Sequence, residues 1–162
     1  MKSWNERTRE VAYLLNPAFC GRLLYAAIKE YESKAQHALP FPLVYLILPL
    51  VLHKQTRNRI SSRTQLLQWI QTNQHLLIGF VRRTRELVVI TNEALEMLLQ
   101  SGIIQITQSG ELSIITTQRS LSKSRFVDSE ISECITKSEH VARWFASTGK
   151  VETIYIGLGV RP

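Results

Sequence analysis

Residues 64–116 read TQLLQWIQTNQHLLIGFVRRTRELVVITNEALEMLLQSGIIQITQSGELSIIT and decide the predicted fold, because three helical patterns precede two strand patterns. The first helix is TQLLQWIQT, with its apolar side chains gathered on one side. The second is HLLIGFVRRTRELVV, in which apolar residues recur at a period near 3.6. The third is NEALEMLLQS, for which Thr91 is the predicted N-cap and Gly102 lies just past the end.

The two strand patterns, IIQIT and LSIIT, flank the short turn Gln108-Ser109-Gly110-Glu111. Gly110 can take the positive φ that a tight hairpin loop needs. The order of helix, helix, helix and hairpin is that of a winged helix-turn-helix. We therefore predict a mainly α fold with a small β-hairpin, in which a winged helix-turn-helix-like core carries additional N- and C-terminal helices.

The N-terminal part of the chain, residues 1–53, is predicted to supply helices and an apolar core segment. A short helix is expected over 4–15, and Asn16-Pro17 is a strong signal for a second helix that runs to about residue 35. The run LPFPLVYLILPLVL (39–52) is shorter than the roughly twenty residues of a membrane span, so we interpret it as buried core. Pro49 is expected to kink or end a helix there.

The C-terminal part, residues 128–162, follows a polar, basic connector, TTQRSLSKSR. Asp128 is a candidate cap for a long helix, SEISECITKSEHVARWFAS, which Gly149 would terminate. VETIYI after it is predicted to form a short strand. The parts 1–53, 64–116 and 128–162 are expected to share one domain spanning residues 1–162, since no disordered linker separates them.

Composition favours an ordinary globular protein of the cytoplasm. The 162 residues are 44% apolar and 20% charged, which suffices for one sizeable core. Cys20 and Cys134 each fall in an apolar helical pattern, so buried reduced thiols and a cytosolic location are predicted. The N-terminus has scattered charges and no apolar signal-peptide core.

The net charge of +7 is concentrated in one part of the chain. Between Glu32 and Glu86 there is no acidic residue, whereas lysines and arginines recur. Such a stretch is typical of contact with phosphate or with an acidic protein surface. A solvated face compensated by acids elsewhere in the fold explains it equally well.

If nucleic acid is contacted, we expect backbone contacts to double-stranded DNA, without sequence preference and weakened by salt. The candidate nucleic-acid-binding residues are Lys54, Arg57, Arg59, Arg63, Arg82, Arg83 and Arg85. The alternative is that these side chains meet a partner protein or solvent.

The predicted third helix has the wrong charge for reading bases. It carries Glu93 and Glu96 but no lysine or arginine, and the hairpin adds Glu111. Recognition helices place Arg, Lys, Asn or Gln against base edges, and carboxylates are repelled by phosphates. A winged helix that docks onto protein fits this composition better.

No catalytic, cofactor-binding or metal-binding residues are predicted. His37, His53, His75 and His140 are scattered and lack metal-ligand spacing. The sequence around Gly149-Lys150 lacks the first glycine and the hydroxyl residue of a phosphate-binding Walker A loop. A hydrolase that uses Cys20 or a histidine has no visible nucleophile–base pair to support it.

Five short motifs together resemble one protein family. They are WNER at 4–7, LLNPAFC at 14–20, LPLVLHK at 48–54, the spacing Arg57…Thr64…Trp69-Ile70, and the terminal LGVRP. In this order they are similar to the middle component of bacterial three-component ABC systems. That group includes the small accessory subunit of Lamassu-type antiphage and anti-plasmid defence complexes.

The resemblance implies partners that the residues themselves do not reveal. By it, the chain would be a non-catalytic subunit that joins an SMC-like ABC ATPase to an effector subunit, often a nuclease. ATP hydrolysis and DNA cleavage would belong to those partners, and no membrane is involved. The alternative hypothesis is a stand-alone winged-helix DNA-binding transcription regulator, which the predicted fold and the pI near 9.7 favour.

Overall fold

A computed structural model of the protein describes residues 15–115 and 129–161, and elements are numbered over these residues. The helices are α1 Pro17–Ala35, α2 Val44–Val51, α3 Lys54–Arg59, α4 Leu66–Thr72, α5 Phe80–Gln100, α6 Ser129–Thr148 and α7 Val151–Gly157. The strands are β1 Leu39–Pro40, β2 Ile104–Ile106 and β3 Glu111–Ile114. Two 3₁₀ turns, Phe41–Leu43 and Gln74–Leu77, precede α2 and α5. The predicted mainly helical fold with a small sheet is confirmed.

Three sequence predictions fall where nothing is described. The predicted helix over 4–15, apart from its last residue, lies outside the described residues, as do the connector at 116–125 and the proposed cap Asp128.

Two helix boundaries were predicted correctly from local chemistry. Asn16 caps α1, since its side-chain Oδ1 accepts a hydrogen bond from the backbone N–H of Ala18 at 2.8 Å, and Pro17 occupies the first helical position. The helix α6 ends at Thr148, and Gly149 follows with φ of +84°. Positive φ favours glycine, which explains why this helix ends there.

The core forms where α1 and α2 both pack against α5 and α6. Leu23, Leu24, Ile28 and Tyr31 of α1 are fully buried. Every residue of α2 is buried except Tyr45, so the prediction that the apolar run 39–52 is core is confirmed. Pro49 lies inside the last turn of α2, which ends two residues later. None of the helices in the described part of the chain has the length and apolar character to cross a membrane.

The sheet is antiparallel, with strand order β1-β3-β2. The hairpin was predicted correctly: β2 and β3 pair with Ile104 opposite Ile114, and Gly110 has φ of +78° in the turn. Strand β1 was not predicted. Glu32 of α1 anchors β3, because its carboxylate accepts hydrogen bonds from Ser113 Oγ at 2.6 Å and from the backbone N–H of Ile114 at 3.3 Å.

The predicted second and third helices are one continuous helix, α5, so the expected break at Thr91 is wrong. Thr91 lies inside α5 and is fully buried. Its favourable cap would have contributed about 1 kcal/mol. Continuing the helix instead buries Ile90, Ala94, Leu95 and Leu98 on one face, and each such aliphatic side chain contributes about as much or more.

The start of α5 also differs from the sequence prediction. Residues 74–77 form a 3₁₀ turn, and Gly79 adopts φ of +74° immediately before α5 begins at Phe80. The helix-helix-helix order expected for residues 64–116 becomes one short helix, a turn and one long helix. The winged helix-turn-helix arrangement of this segment is therefore not confirmed.

The segment VETIYI is helical, so the predicted terminal strand is wrong. It forms most of α7, in which Ile154 and Tyr155 are buried and Leu158 N–H donates to Ile154 C=O at 3.0 Å. A spacing of one and four residues between buried side chains is that of a helix.

Two tryptophans hold the connector between α3 and α4 against α6. Trp69 and Trp144 are buried with ring centroids 5.2 Å apart. The indole N–H of Trp69 donates to Arg59 C=O, and that of Trp144 donates to Thr64 C=O, both at 2.7 Å. The connector at residues 60–65 is thus fixed in place by aromatic packing and two hydrogen bonds.

Candidate functional site

The basic residues proposed to contact nucleic acid differ in how far their side chains are exposed to solvent. Lys54 and Arg59 on α3, and Arg63 on the connector after it, have exposed side chains. Arg85 is exposed on α5. Arg82 is 83% exposed and pairs with Glu86 through Nε at 2.8 Å. Such an exposed i,i+4 pair contributes little stability and does not hide the arginine from a ligand.

Arg57 is a structural residue, and the fold buries the side chain that was proposed from sequence as a phosphate contact. It is 3% exposed, and its Nη2 lies 2.7 Å from Glu130 Oε1. Its Nε lies 3.5 Å from Glu133 Oε2, and its Nη1 donates to Val51 C=O at 3.0 Å. The guanidinium thereby joins the end of α2 to the first turns of α6.

Arg83 is also committed to the fold. Its Nη2 donates to Leu76 C=O at 3.0 Å and its Nη1 to Ile78 C=O at 3.2 Å, which satisfies carbonyls at the end of the 3₁₀ turn. The guanidinium also lies over the Phe80 ring, 5.7 Å from its centroid. Burial lowers the pKa of Arg83, but the side chain stays charged at neutral pH.

His53 is partly buried immediately before α3. Its imidazole Nδ1 lies 2.8 Å from Thr56 Oγ1. Burial lowers the pKa of His53 first, and the positive charges of Arg83 and Arg57 lower it further.

The helix α5 changes charge along its length. Its first turns carry Arg82 and Arg85, whereas Glu93 and the exposed Glu96 lie in its second half. Glu96 accepts a hydrogen bond from Gln100 at 3.1 Å, and Asn92 accepts one from the Tyr45 hydroxyl at 2.8 Å. The part of α5 that was predicted to be a recognition helix thus remains acidic.

An apolar groove of about 650 Å³ opens between α5, the start of α2 and the C-terminal segment. Three aromatic side chains and three valines form its walls, and two arginines stand at it. The lining residues are Phe41, Pro42, Tyr45, Val81, Thr84, Arg85, Val88, Tyr155, Gly159, Val160 and Arg161. This mixture of apolar walls with a few polar groups is typical of a binding site.

Hydrogen bonds and ring contacts fix the aromatic walls of the groove. Phe41 and Tyr45 stack edge to face with centroids 6.0 Å apart. The Tyr45 hydroxyl donates to Asn92, and the Tyr155 hydroxyl donates to the Pro42 carbonyl. Because each tyrosine is tied to a neighbouring wall, a ligand meets a groove that is largely preorganised.

The buried cysteines are poor candidates for catalysis. Cys20 and Cys134 are both buried and not in a disulfide, as predicted. Burial, with smaller effects from Cys134 and Glu93, raises the pKa of Cys20 to about 12. The reactive thiolate is therefore scarce at neutral pH. Within residues 15–115 and 129–161, no three His, Cys, Asp or Glu side chains cluster as metal ligands do.

A protein-family model decides the identity of the chain. The model of the ABC-three component (ABC-3C) system Middle Component 3, MC3, matches residues 4–162. The chain belongs to the MC3 family. Comparison with curated proteins gives no match, and neither does comparison with solved structures.

Membership of the MC3 family confirms the resemblance to three-component ABC middle components. It identifies the chain as a middle component, consistent with an accessory subunit of a multi-component system. The groove of this MC3 protein was missed by sequence reasoning, because its walls come from segments about forty to seventy residues apart. One signal was available: Tyr45 is the only residue with a polar group on its side chain in the apolar run 39–52.

Proposed function

We propose that this MC3 protein is a non-catalytic adaptor that joins an SMC-like ABC ATPase to a nuclease-type effector in a cytoplasmic Lamassu-type antiphage or anti-plasmid defence complex. The observation that carries the proposal is the open apolar groove between α2, α5 and the C-terminal segment. A family of middle components must contact other components, and the groove is a preorganised apolar surface suited to that contact.

The groove best fits an apolar helix face of the ABC ATPase component. Tyr45, Phe41 and Tyr155 supply the aromatic anchors that dominate binding energy in most interfaces. Arg161 stands beside them and would pair with an acidic residue that flanks the apolar face of the partner.

The test of the adaptor role is reconstitution with and without this chain. When the ATPase and effector components are co-expressed with the full chain, we expect all three to be recovered through a tag on the ATPase. Omitting the chain should lower recovery of the effector at least tenfold. Undiminished recovery of the effector in its absence would contradict the adaptor role.

We propose that the exposed basic residues give the complex weak, sequence-independent contact with the DNA backbone. Lys54, Arg59, Arg63, Arg82 and Arg85 are the residues that remain exposed from the set predicted from sequence. Arg57 and Arg83 support this surface from within the fold. The acidic second half of α5, with Glu93 and Glu96, does not favour the alternative of a sequence-reading regulator.

A double charge reversal, Arg59→Glu with Arg63→Glu, is expected to weaken binding of random duplex DNA by the whole complex about tenfold at low salt. The plot of log association constant against log salt concentration should also become less steep by about 2, because each lost phosphate contact reduces the magnitude of the slope by about 1. Lys150→Glu, at an exposed lysine outside the proposed set, serves as the control. Unchanged affinity and slope in the double variant would show that the charge serves another purpose.

We also propose that the fold is a variant of the winged helix. The short strand β1 follows α1, and β3 pairs between β1 and β2, so the hairpin belongs to a three-stranded sheet. This order, with helices between β1 and the hairpin, supports a winged-helix unit that starts at α1 and includes the core helices.

A further inference from the structure

A second, polar pocket lies between the end of α1, the connector before α4 and the second half of α6. Its volume is about 170 Å³, several times the roughly 30 Å³ that one water occupies in the liquid. Apart from Trp144 its lining is polar or basic, and no acidic side chain is among the described residues that form it. The lining includes Lys34, Ser62, Thr64, His140, Arg143 and Ser147.

Two buried polar atoms in the pocket lining have no hydrogen-bond partner within the described part of the chain. They are Thr64 Oγ1 and His140 Nδ1. A buried polar atom that stays unpaired costs about 1–3 kcal/mol, so each of these two atoms keeps an unused capacity for a hydrogen bond. Both atoms belong to residues that line this one pocket.

Two basic side chains in the pocket lining, Lys34 and Arg143, are the groups that favour an anion. Lys34 is exposed at the edge of the pocket. Arg143 pairs through Nε with Glu30 Oε1 at 2.7 Å, while its Nη2 lies 3.9 Å from Glu139 Oε2. Glu30 and Glu139 thereby orient the guanidinium, and both offset part of its charge.

The imidazole of His140 can donate a hydrogen bond without being charged. Burial lowers the pKa of His140, as do the positive charges of Arg143 and Lys137, against an opposing effect of Glu30. The neutral ring with its proton on Nδ1 is a donor, as is the Thr64 hydroxyl. A tetrahedral oxyanion accepts hydrogen bonds in several directions, which matches this set of donors.

We propose that this polar pocket binds a phosphate group through Thr64, His140, Lys34 and Arg143. The phosphate belongs either to a mononucleotide or to the nucleic-acid backbone, and both sources share the same donors. The proposed site is independent of the apolar groove. Its residues were not among those chosen from the basic sequence pattern, although Thr64 directly follows Arg63.

The experiment is a titration of the full chain with sodium phosphate. NMR signals of the His140 ring and the Trp144 indole are monitored at each concentration. Sodium chloride at matched ionic strength is the reference. We expect saturable shifts at both residues with phosphate and none with chloride. Shifts that match between the two salts, or that never saturate, would overturn the proposal and leave only water in the pocket.

Variants assign the binding to this pocket. Thr64→Val keeps the shape of the side chain but removes the hydroxyl, and should weaken phosphate binding about tenfold. Lys34→Gln should weaken it about threefold, since an exposed charge is screened. Lys29→Gln is the matched control: Lys29 is also exposed on α1 but lies about 140° around the helix from Lys34.

Thermal denaturation followed by circular dichroism establishes that each variant is folded. If Thr64→Val unfolds, Lys34→Gln still tests the site, because Lys34 is exposed and its replacement should not disturb the fold. Equal affinities for wild type and Lys34→Gln, or equal losses for Lys34→Gln and Lys29→Gln, would refute the assignment.

The source of the phosphate is found with two further probes, adenosine monophosphate and a 20-base-pair duplex. Saturable shifts of His140 with the mononucleotide alone identify a small-molecule site, and displacement of phosphate by the duplex identifies a backbone site. Either result supports the phosphate site. Failure of both probes to displace inorganic phosphate would contradict the assignment to a nucleotide or nucleic acid.

Discussion

Replacing Asn92 with proline is expected to lower the free energy of unfolding by about 3 kcal/mol or more. Asn92 lies in the interior of α5, where its backbone N–H is expected to bond to the carbonyl four residues earlier, that of Val88. Proline removes that hydrogen bond, and its ring clashes with the same carbonyl. The loss is measured by urea denaturation followed by circular dichroism.

Asn92→Ala is the control for this substitution. It removes the hydrogen bond from the Tyr45 hydroxyl, worth about 1 kcal/mol, and leaves the backbone of α5 intact. If a separate helix began after Thr91, Asn92 would occupy its first position, where proline is tolerated. A proline variant no less stable than the alanine variant would therefore contradict the continuous helix.

Replacing Trp69 with alanine is expected to lower the free energy of unfolding by about 3–5 kcal/mol. The ring is 2% exposed, packs against Trp144 at 5.2 Å, and holds Arg59 C=O through its N–H. Its removal opens a cavity and frees one end of the connector before α4. Denaturation with urea, monitored by circular dichroism, measures the change.

Two further variants separate the contributions of Trp69. Trp69→Phe keeps most of the ring but loses the hydrogen bond to Arg59, so a smaller loss is expected. Leu67→Ala, at a side chain that is 44% exposed on the same helix, should cost under about 1 kcal/mol. A Trp69→Ala variant as stable as Leu67→Ala would show that the two tryptophans do not fix the connector.

The parts of the fold predicted correctly from sequence are those set by local chemistry. Asn16-Pro17 starts α1, Gly149 ends α6, and Gly110 turns the hairpin, because each residue suits the backbone conformation it occupies. The apolar run 39–52 was also correctly assigned to the core, since its side chains avoid water and the run is too short to span a membrane.

The wrong predictions share a physical cause: tertiary burial outweighed a local signal. Thr91 is a good N-cap in isolation, but the apolar face of α5 continues through it and packs against α1 and α2. VETIYI has strand-forming residues, yet the helix buries the adjacent side chains of Ile154 and Tyr155, which a strand would place on opposite faces. Propensity alone decides such segments only where packing does not.

The candidate sites depended even more on tertiary structure. Arg57 was indistinguishable from Arg59 in sequence, but it is buried against Glu130, a partner more than seventy residues away. The apolar groove and the polar pocket each combine three separate parts of the chain. Periodicities and short motifs in a sequence do not show which distant segments come together. The family motifs indicated the family of the protein but neither of the two sites.

The proposed docking role rests on the groove, and two adjacent valines of α5 allow it to be tested. Val88 lines the groove, whereas Val89 is 41% exposed and does not line it. Aspartate at Val88 would place a charge against the apolar partner face, while the same change at Val89 would place it in solvent.

The affinity of the full chain for the ABC ATPase component, measured by calorimetry for these two variants, tests the central claim most directly. We predict that Val88→Asp weakens binding at least tenfold and that Val89→Asp leaves it within twofold of the wild-type value. Equal affinities for wild type and Val88→Asp, or equal losses in the two variants, would contradict docking through the groove.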